Sequence, residues 1–166
     1  MFTTIAAFES VWAHESTCTQ ALLNKLTDAS LKQPVYPGGR TLGRLAWHIA
    51  QTIPEMMAKA GLQLAGPGEH EPMPTSAAAI ADGYRRASAS LVEQLPLKWT
   101  DDSLAERTEM YGDMWEKGTT LSVLIRHEAH HRGQMTVLMR QAGLPVSGVY
   151  GPSKEEWGGF GMPAPE

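Results

Sequence analysis

The stretch from Leu121 to Leu138 constrains this chain more than any other, because it carries His127, Glu128, Ala129, His130 and His131 followed by Arg132, Gly133 and Gln134. Three of the six histidines in the 166-residue sequence fall there. In a helix, His127 and His131 lie about one turn apart on one face, the spacing at which two imidazoles share a metal ion. Successive residues at about 100° intervals put Leu124, His127, His131, Met135 and Leu138 on one side, so the pair sits inside an apolar stripe. Unpaired imidazole nitrogens in such a stripe are costly, whereas a shared metal and hydrogen-bonding neighbours satisfy them. The alternative for each histidine taken alone is a hydrogen-bonded core residue. His130 lies about a quarter-turn from the stripe centre and reads as a flank or interface residue.

The remaining chain supplies three more helical patterns. From about Phe2 to Thr27, Ile5, Phe8, Trp12, Thr19, Leu22, Leu23 and Leu26 share a face, and Glu15 falls within it, a carboxylate that needs a partner. His14 and Cys18 are also four apart, but His14 points away from that face and reads as solvated, with Cys18 a boundary hydrophobe. After the breaker cluster Gln33 to Gly39, Thr41 caps a second helix to about Ala60. Its inward stripe is Leu45, His48, Ile49, Thr52 and Met56, with Trp47 facing away and Pro54 predicting a kink. The short link between the first two helices predicts antiparallel neighbours.

Gly61 to Pro74 is long enough to cross the length of a bundle, which lets helices two and three run parallel. Thr75 or Ser76 caps a third helix with Ile80, Tyr84, Ala87, Leu91 and Leu95 at helical spacing, ended by Pro96. Leu97 to Gly118 fits either a short hairpin or an irregular loop. Thr119 and Thr120 are N-cap candidates for the fourth helix, which runs to Gln141 and stops at Gly143. In the tail, Val146 to Glu166, the aromatic residues Tyr150, Trp157 and Phe160 predict return onto the bundle.

Composition narrows the function classes. The length suits one domain, 1–166. A net charge of −4 and no cationic run longer than Arg85-Arg86 argue against a nucleic-acid partner or a polybasic membrane patch. No signal-like leader or membrane-length apolar stretch is visible, and a single cysteine excludes an intramolecular disulfide, so the expected location is the cytoplasm.

Two motif readings compete. His127-Glu128-Ala129-His130-His131 matches H-E-x-x-H, the zinc peptidase helix, with Glu128 as general base. The longer extension needs glycine at 134 and histidine at 137, where Gln134 and Val137 stand, and Glu155 or Glu156 would have to serve as a downstream ligand. The second reading covers nearly the whole chain. The helical order, with Leu45-Ala46-Trp47-His48-Ile49, His127-x-x-His130-His131-Arg132-Gly133-Gln134 and Tyr150-Gly151-Pro152-Ser153, resembles the DinB/YfiT-like metalloprotein superfamily. That resemblance implies an all-α four-helix bundle of up-down-down-up topology with a long connection between helices 2 and 3. It also implies three histidine ligands, which fall on His48, His127 and His131.

The activity so implied is metal-dependent, with one divalent ion, zinc or nickel, activating a low-molecular-weight thiol or water for attack on a small electrophilic substrate. Transferase and hydrolase chemistry both follow from such a site. A non-catalytic metal-binding or sensing protein is the alternative. Glu15, Thr52 and Glu55 are the polar candidates for orienting a ligand or accepting a proton, since Thr52 and Glu55 follow His48 by about one and two turns. Trp47, Val123, Val137 and His130, read as lying away from the core, predict a homodimer.

Overall fold

A computed structural model describes residues 1–165. Four helices, α1 (Ile5–Leu23), α2 (Leu42–Lys59), α3 (Ala77–Lys98) and α4 (Lys117–Gln141), surround the core. An antiparallel hairpin, β1 (Arg107–Met110) and β2 (Asp113–Glu116), precedes α4 and adds strand to the all-α expectation. Among the described residues, no helix is long and apolar enough to cross a membrane.

The first three helices begin where hydroxyl side chains satisfy free backbone N–H groups: Thr4 accepts from Ala7, Thr41 from Arg44 and Ser76 from Ala79. The first helix is shorter than its apolar pattern. Beyond Asn24 the chain turns into a short 3-10 segment, Ser30–Lys32, where Thr27 and Ser30 exchange side-chain and backbone hydrogen bonds that compete with helix continuation.

Two further boundaries differ from expectation. α3 continues through Pro96, whose missing N–H deprives only the carbonyl of Val92, an exposed residue in the last turns, while the Trp99 N–H still reaches the Leu95 carbonyl. α4 begins before Thr119 and Thr120, because β2 feeds directly into it and the Lys117 N–H is held by the Glu106 carbonyl at 2.9 Å. Its first turn also receives the N-terminus: Phe2 N–H donates to the Gly118 carbonyl at 3.1 Å, and a Cβ at position 118 would lie 2.0 Å from the Phe2 oxygen. α2 remains helical through Pro54.

α2 packs chiefly on α3 and α4, and α1 packs on the same two helices. The predicted neighbours α1 and α2 are therefore not principal partners, and both His48 and the fourth-helix histidines are brought to the α2–α4 contact. Trp47 is the other correction. It is 1% exposed, because the long connection between α2 and α3 lies over it: its Nε1–H donates to the Glu71 carbonyl at 3.0 Å, and its ring meets Gly83 of α3. The two N–H groups of Gln51 Nε2 are shared among the carbonyls of Gly68, Glu69 and Glu71. An indole whose N–H is matched and whose ring fills the gap above a glycine belongs to the core.

Trp47→Ala removes both the ring and the tie to the connection, at a cost of about 3–5 kcal/mol. Thermal melting should show a midpoint lowered by on the order of 10 °C. A midpoint within about 2 °C of the parent would mean the connection does not depend on Trp47.

Candidate metal centre

The register of two helices builds the site. α2 presents His48, and α4 presents His127 and His131 from consecutive turns. Nε2 of His127 lies 3.2 Å from Nε2 of His48 and 3.1 Å from Nε2 of His131, and the three rings meet edge to face. One ligand atom from each imidazole lies within 4.8 Å of the others. Around a tetrahedral ion with metal–nitrogen bonds of about 2.0–2.1 Å, ligand nitrogens stand about 3.3 Å apart, so the donor set and its spacing fit a divalent metal.

The charge state fits as well. Burial, then the neighbouring imidazoles and arginines, pushes the pKa of His48 down to about 4; burial, His131, His130 and Arg40 push that of His127 down to about 4. Burial also lowers the pKa of His131, against a hydrogen bond to Gln134 that raises it. Three neutral imidazoles are the protonation state a metal requires. The Gln134 Oε1 accepts the His131 Nδ1–H at 2.7 Å, which leaves the Nε2 lone pair facing the cluster. Among the described residues His127 Nδ1 is buried with no protein partner, while His130 is exposed on the flank.

A cavity of about 580 Å³ opens onto His48 and His127, lined among others by Arg44, Thr52, Glu55, Tyr111, Trp115 and Val123. Thr52 donates its hydroxyl to the His48 carbonyl at 2.8 Å, and Glu55 accepts the Tyr111 hydroxyl. Two of the four polar candidates thus reach the cavity.

The other two face the opposite way. Glu128 is 1% exposed, and its Oε1 accepts the hydroxyls of Thr19 at 2.5 Å and Tyr84 at 2.7 Å. Burial pushes its pKa up to about 7, against those hydrogen bonds. One turn on, Arg132 pairs with the Glu15 carboxylate and donates to the Glu15 carbonyl, Thr19 and the Tyr150 hydroxyl. Glu15 is therefore the core carboxylate with its partner found, and Glu128 is engaged between α1 and α3, away from the histidines. The general base of the H-E-x-x-H reading is not at the site. Cys18 is buried, with its thiol pKa raised by that burial, and lies 3.6 Å from exposed His14.

Sequence reasoning missed Arg44, Tyr111 and Trp115 as cavity residues. The available signal was Tyr111-Gly112, a two-residue turn between short alternating segments.

Residues 1–164 match the DinB family, and the chain belongs to that family. It is 49% identical to the uncharacterized protein YrdA of Bacillus subtilis over 166 residues, covering 100% of this chain and 99% of that protein. A crystal structure of a DinB-like protein from Bacillus cereus is similar at 48% identity, with a TM-score of 0.87 over 90% of this chain and 100% of that one. A second DinB-like crystal structure, YjoA of Bacillus subtilis, shares the fold at 18% identity, with a TM-score of 0.65 over 82% of this chain and 92% of that one.

The depressed histidine pKa values have a stability consequence. Both groups bind protons more readily in the unfolded chain, so their contribution to the metal-free protein is complete above pH 6.5 and is lost as pH falls towards about 4. Glu128, with its raised pKa, acts in the opposite sense over the acidic side of neutrality. The histidine contribution is isolated by comparing urea unfolding of the metal-free parent and a His48→Gln/His127→Gln variant. The parent should lose stability relative to the variant between about pH 7.5 and about pH 5; a constant or growing advantage at low pH would contradict neutral imidazoles.

Proposed function

We propose that this chain is a metal-dependent enzyme of the DinB family in which His48, His127 and His131 hold one divalent ion, zinc or nickel, beside a cavity that admits a small-molecule substrate. The observation that carries the reading is the clustering of three imidazoles, with the Nε2 of His127 at ligand spacing from that of His48 and that of His131, beside a cavity that His48 and His127 line. A divalent ion so held would supply Lewis acidity, lowering the pKa of a thiol or water at an open position so that it attacks an electrophile. The chain's own residues do the rest. Gln134 fixes the tautomer of His131, and Thr52 ties its hydroxyl to the His48 carbonyl. Glu55, bonded to Tyr111 at the cavity, is the carboxylate placed to take a proton from an incoming nucleophile. No protein nucleophile is required, which suits a chain whose single cysteine is buried with a raised pKa.

With this goes a single cytoplasmic domain, 1–166, whose helices run up-down-down-up, the long connection letting α2 and α3 run parallel. We also propose a homodimer through the flank of α4, where His130 and Val137 are exposed beside Val123; Trp47, being covered, takes no part.

Metal analysis after equilibration with zinc or nickel should give about one ion per chain in the parent. His48→Ala and His127→Ala should each lower affinity by at least about tenfold, and undiminished occupancy would remove that residue from the site. Metal-loaded protein should consume a thiol or water in the presence of small electrophiles, and Glu128→Gln should retain that turnover. No turnover across a broad panel would favour the non-catalytic metal-binding alternative, and peptide cleavage lost in Glu128→Gln would favour the peptidase one. Light scattering should give the mass of two chains at micromolar concentration; a strict monomer would defeat the dimer.

A further inference from the structure

The hairpin turn that carries Tyr111 is built against local preference. The loop between β1 and β2 has two residues, Tyr111 and Gly112, with φ of 57° and 90°. Both central residues at positive φ define the tight hairpin turn whose favoured sequence is Asn-Gly. Gly112 suits it. Tyr111 does not, being the one non-glycine at positive φ among the described residues, in a region where a Cβ crowds the backbone. A strained conformation at a cavity wall is held by its surroundings and points to a use for the side chain.

Those surroundings are specific. Met110, just before the turn, is fully buried and anchors the hairpin, and β1 packs on α2. The Tyr111 hydroxyl donates to the Glu55 carboxylate, 2.8 Å from Oε2 and 3.1 Å from Oε1, and the Lys59 ammonium lies 5.5 Å from its ring centroid. Burial and the Glu55 carboxylate raise the phenol's pKa, so it remains a neutral donor. Its ring meets Trp115 edge to face at 5.8 Å, and both line the cavity that opens onto His48 and His127. At 57% exposure the Tyr111 ring stands at the cavity mouth, with Met56 and Val123 adding apolar surface within.

We propose that Tyr111 is a specificity-determining residue: latched to Glu55, it forms with Trp115 an aromatic wall that selects ligands carrying an apolar or aromatic body on the group that reaches the histidines. This deepens the metal-pocket reading and rests on it for what the ligand meets at the far end. The wall itself belongs to the hairpin and α2. A polar occupant would gain little against the aromatic surface that Tyr111 and Trp115 give the cavity, whereas an apolar or aromatic body buries it and gains edge or stacking contact.

The test separates the two claims by titrating phenylmethanethiol and 2-mercaptoethanol, one thiol with an aromatic body and one without, into metal-free and cobalt-loaded protein by calorimetry. The parent should prefer the aromatic thiol by about tenfold or more in both forms, a factor within reach of one aromatic contact plus the area it buries. Tyr111→Asn should cut the preference to under about threefold while leaving the cobalt absorption spectrum unchanged. Because asparagine suits the turn, its melting temperature should stay within about 2 °C of the parent or rise, so lost selectivity does not reflect unfolding. Tyr111→Phe, which keeps the ring, should keep the preference within about threefold of the parent. No aromatic preference in the parent, or an undiminished one in Tyr111→Asn, would overturn the proposal. Failure of cobalt to bind would instead count against the metal reading, and the metal-free titration would then decide the wall on its own.

Discussion

Arg132 determines how α4 sits in this bundle. Its guanidinium is 2% exposed and reaches from α4 to the carboxylate and carbonyl of Glu15 and the hydroxyl of Thr19 on α1, with Tyr150 of the tail closing the group. Breaking such a buried, hydrogen-bonded pair by removing one partner leaves a charge without compensation, at a cost of about 3–5 kcal/mol. The rotation of α4 about its axis is therefore tightly specified. Glu128, one turn earlier on the same side, adds Thr19 and Tyr84. With that side committed to α1 and α3, His127 and His131, about 100° away, are turned to α2 and His48.

Four residues of one short stretch thus serve two sides of α4. Histidines at 127 and 131 face α2, and the carboxylate and guanidinium at 128 and 132 face α1 and α3. The difference in chemistry follows from the surroundings. The Arg132 guanidinium finds its partners within the protein, whereas among the described residues the buried Nδ1 of His127 has none and the three imidazoles bring their ligand atoms within 4.8 Å of one another. Burial holds those rings neutral, the form that coordinates. The cavity lies beside them, and the Tyr111 turn, at positive φ, lines it.

Much of this was legible in the sequence where periodicity alone decides position. The inward stripes of α1, α3 and α4 follow from helical spacing, and His48 falls at the margin of its own stripe, half-buried as the cavity demands. What periodicity could not supply was the effect of distant segments. Trp47 looks outward on its helix and is buried because the connection folds over it. Pro96 reads as a helix end, yet costs a single bond on the solvent side. Glu15 and Glu128 are both buried, and that neither reaches the cavity, one pairing with Arg132 and the other accepting from Thr19 and Tyr84, depends on three helices at once. Tyr111 becomes a cavity residue only through the pairing of β1 with β2.

The central claim is that three imidazoles, and no other side chain, hold a divalent ion with a position left open. X-ray absorption spectroscopy at the metal edge of the zinc- or nickel-loaded protein tests it most directly. The account predicts a first shell of three imidazole nitrogens, identified by outer-ring scattering, at about 2.0–2.1 Å for zinc, completed by solvent oxygen. A sulfur in that shell, fewer than three imidazoles, or a fourth protein ligand closing the site would contradict it.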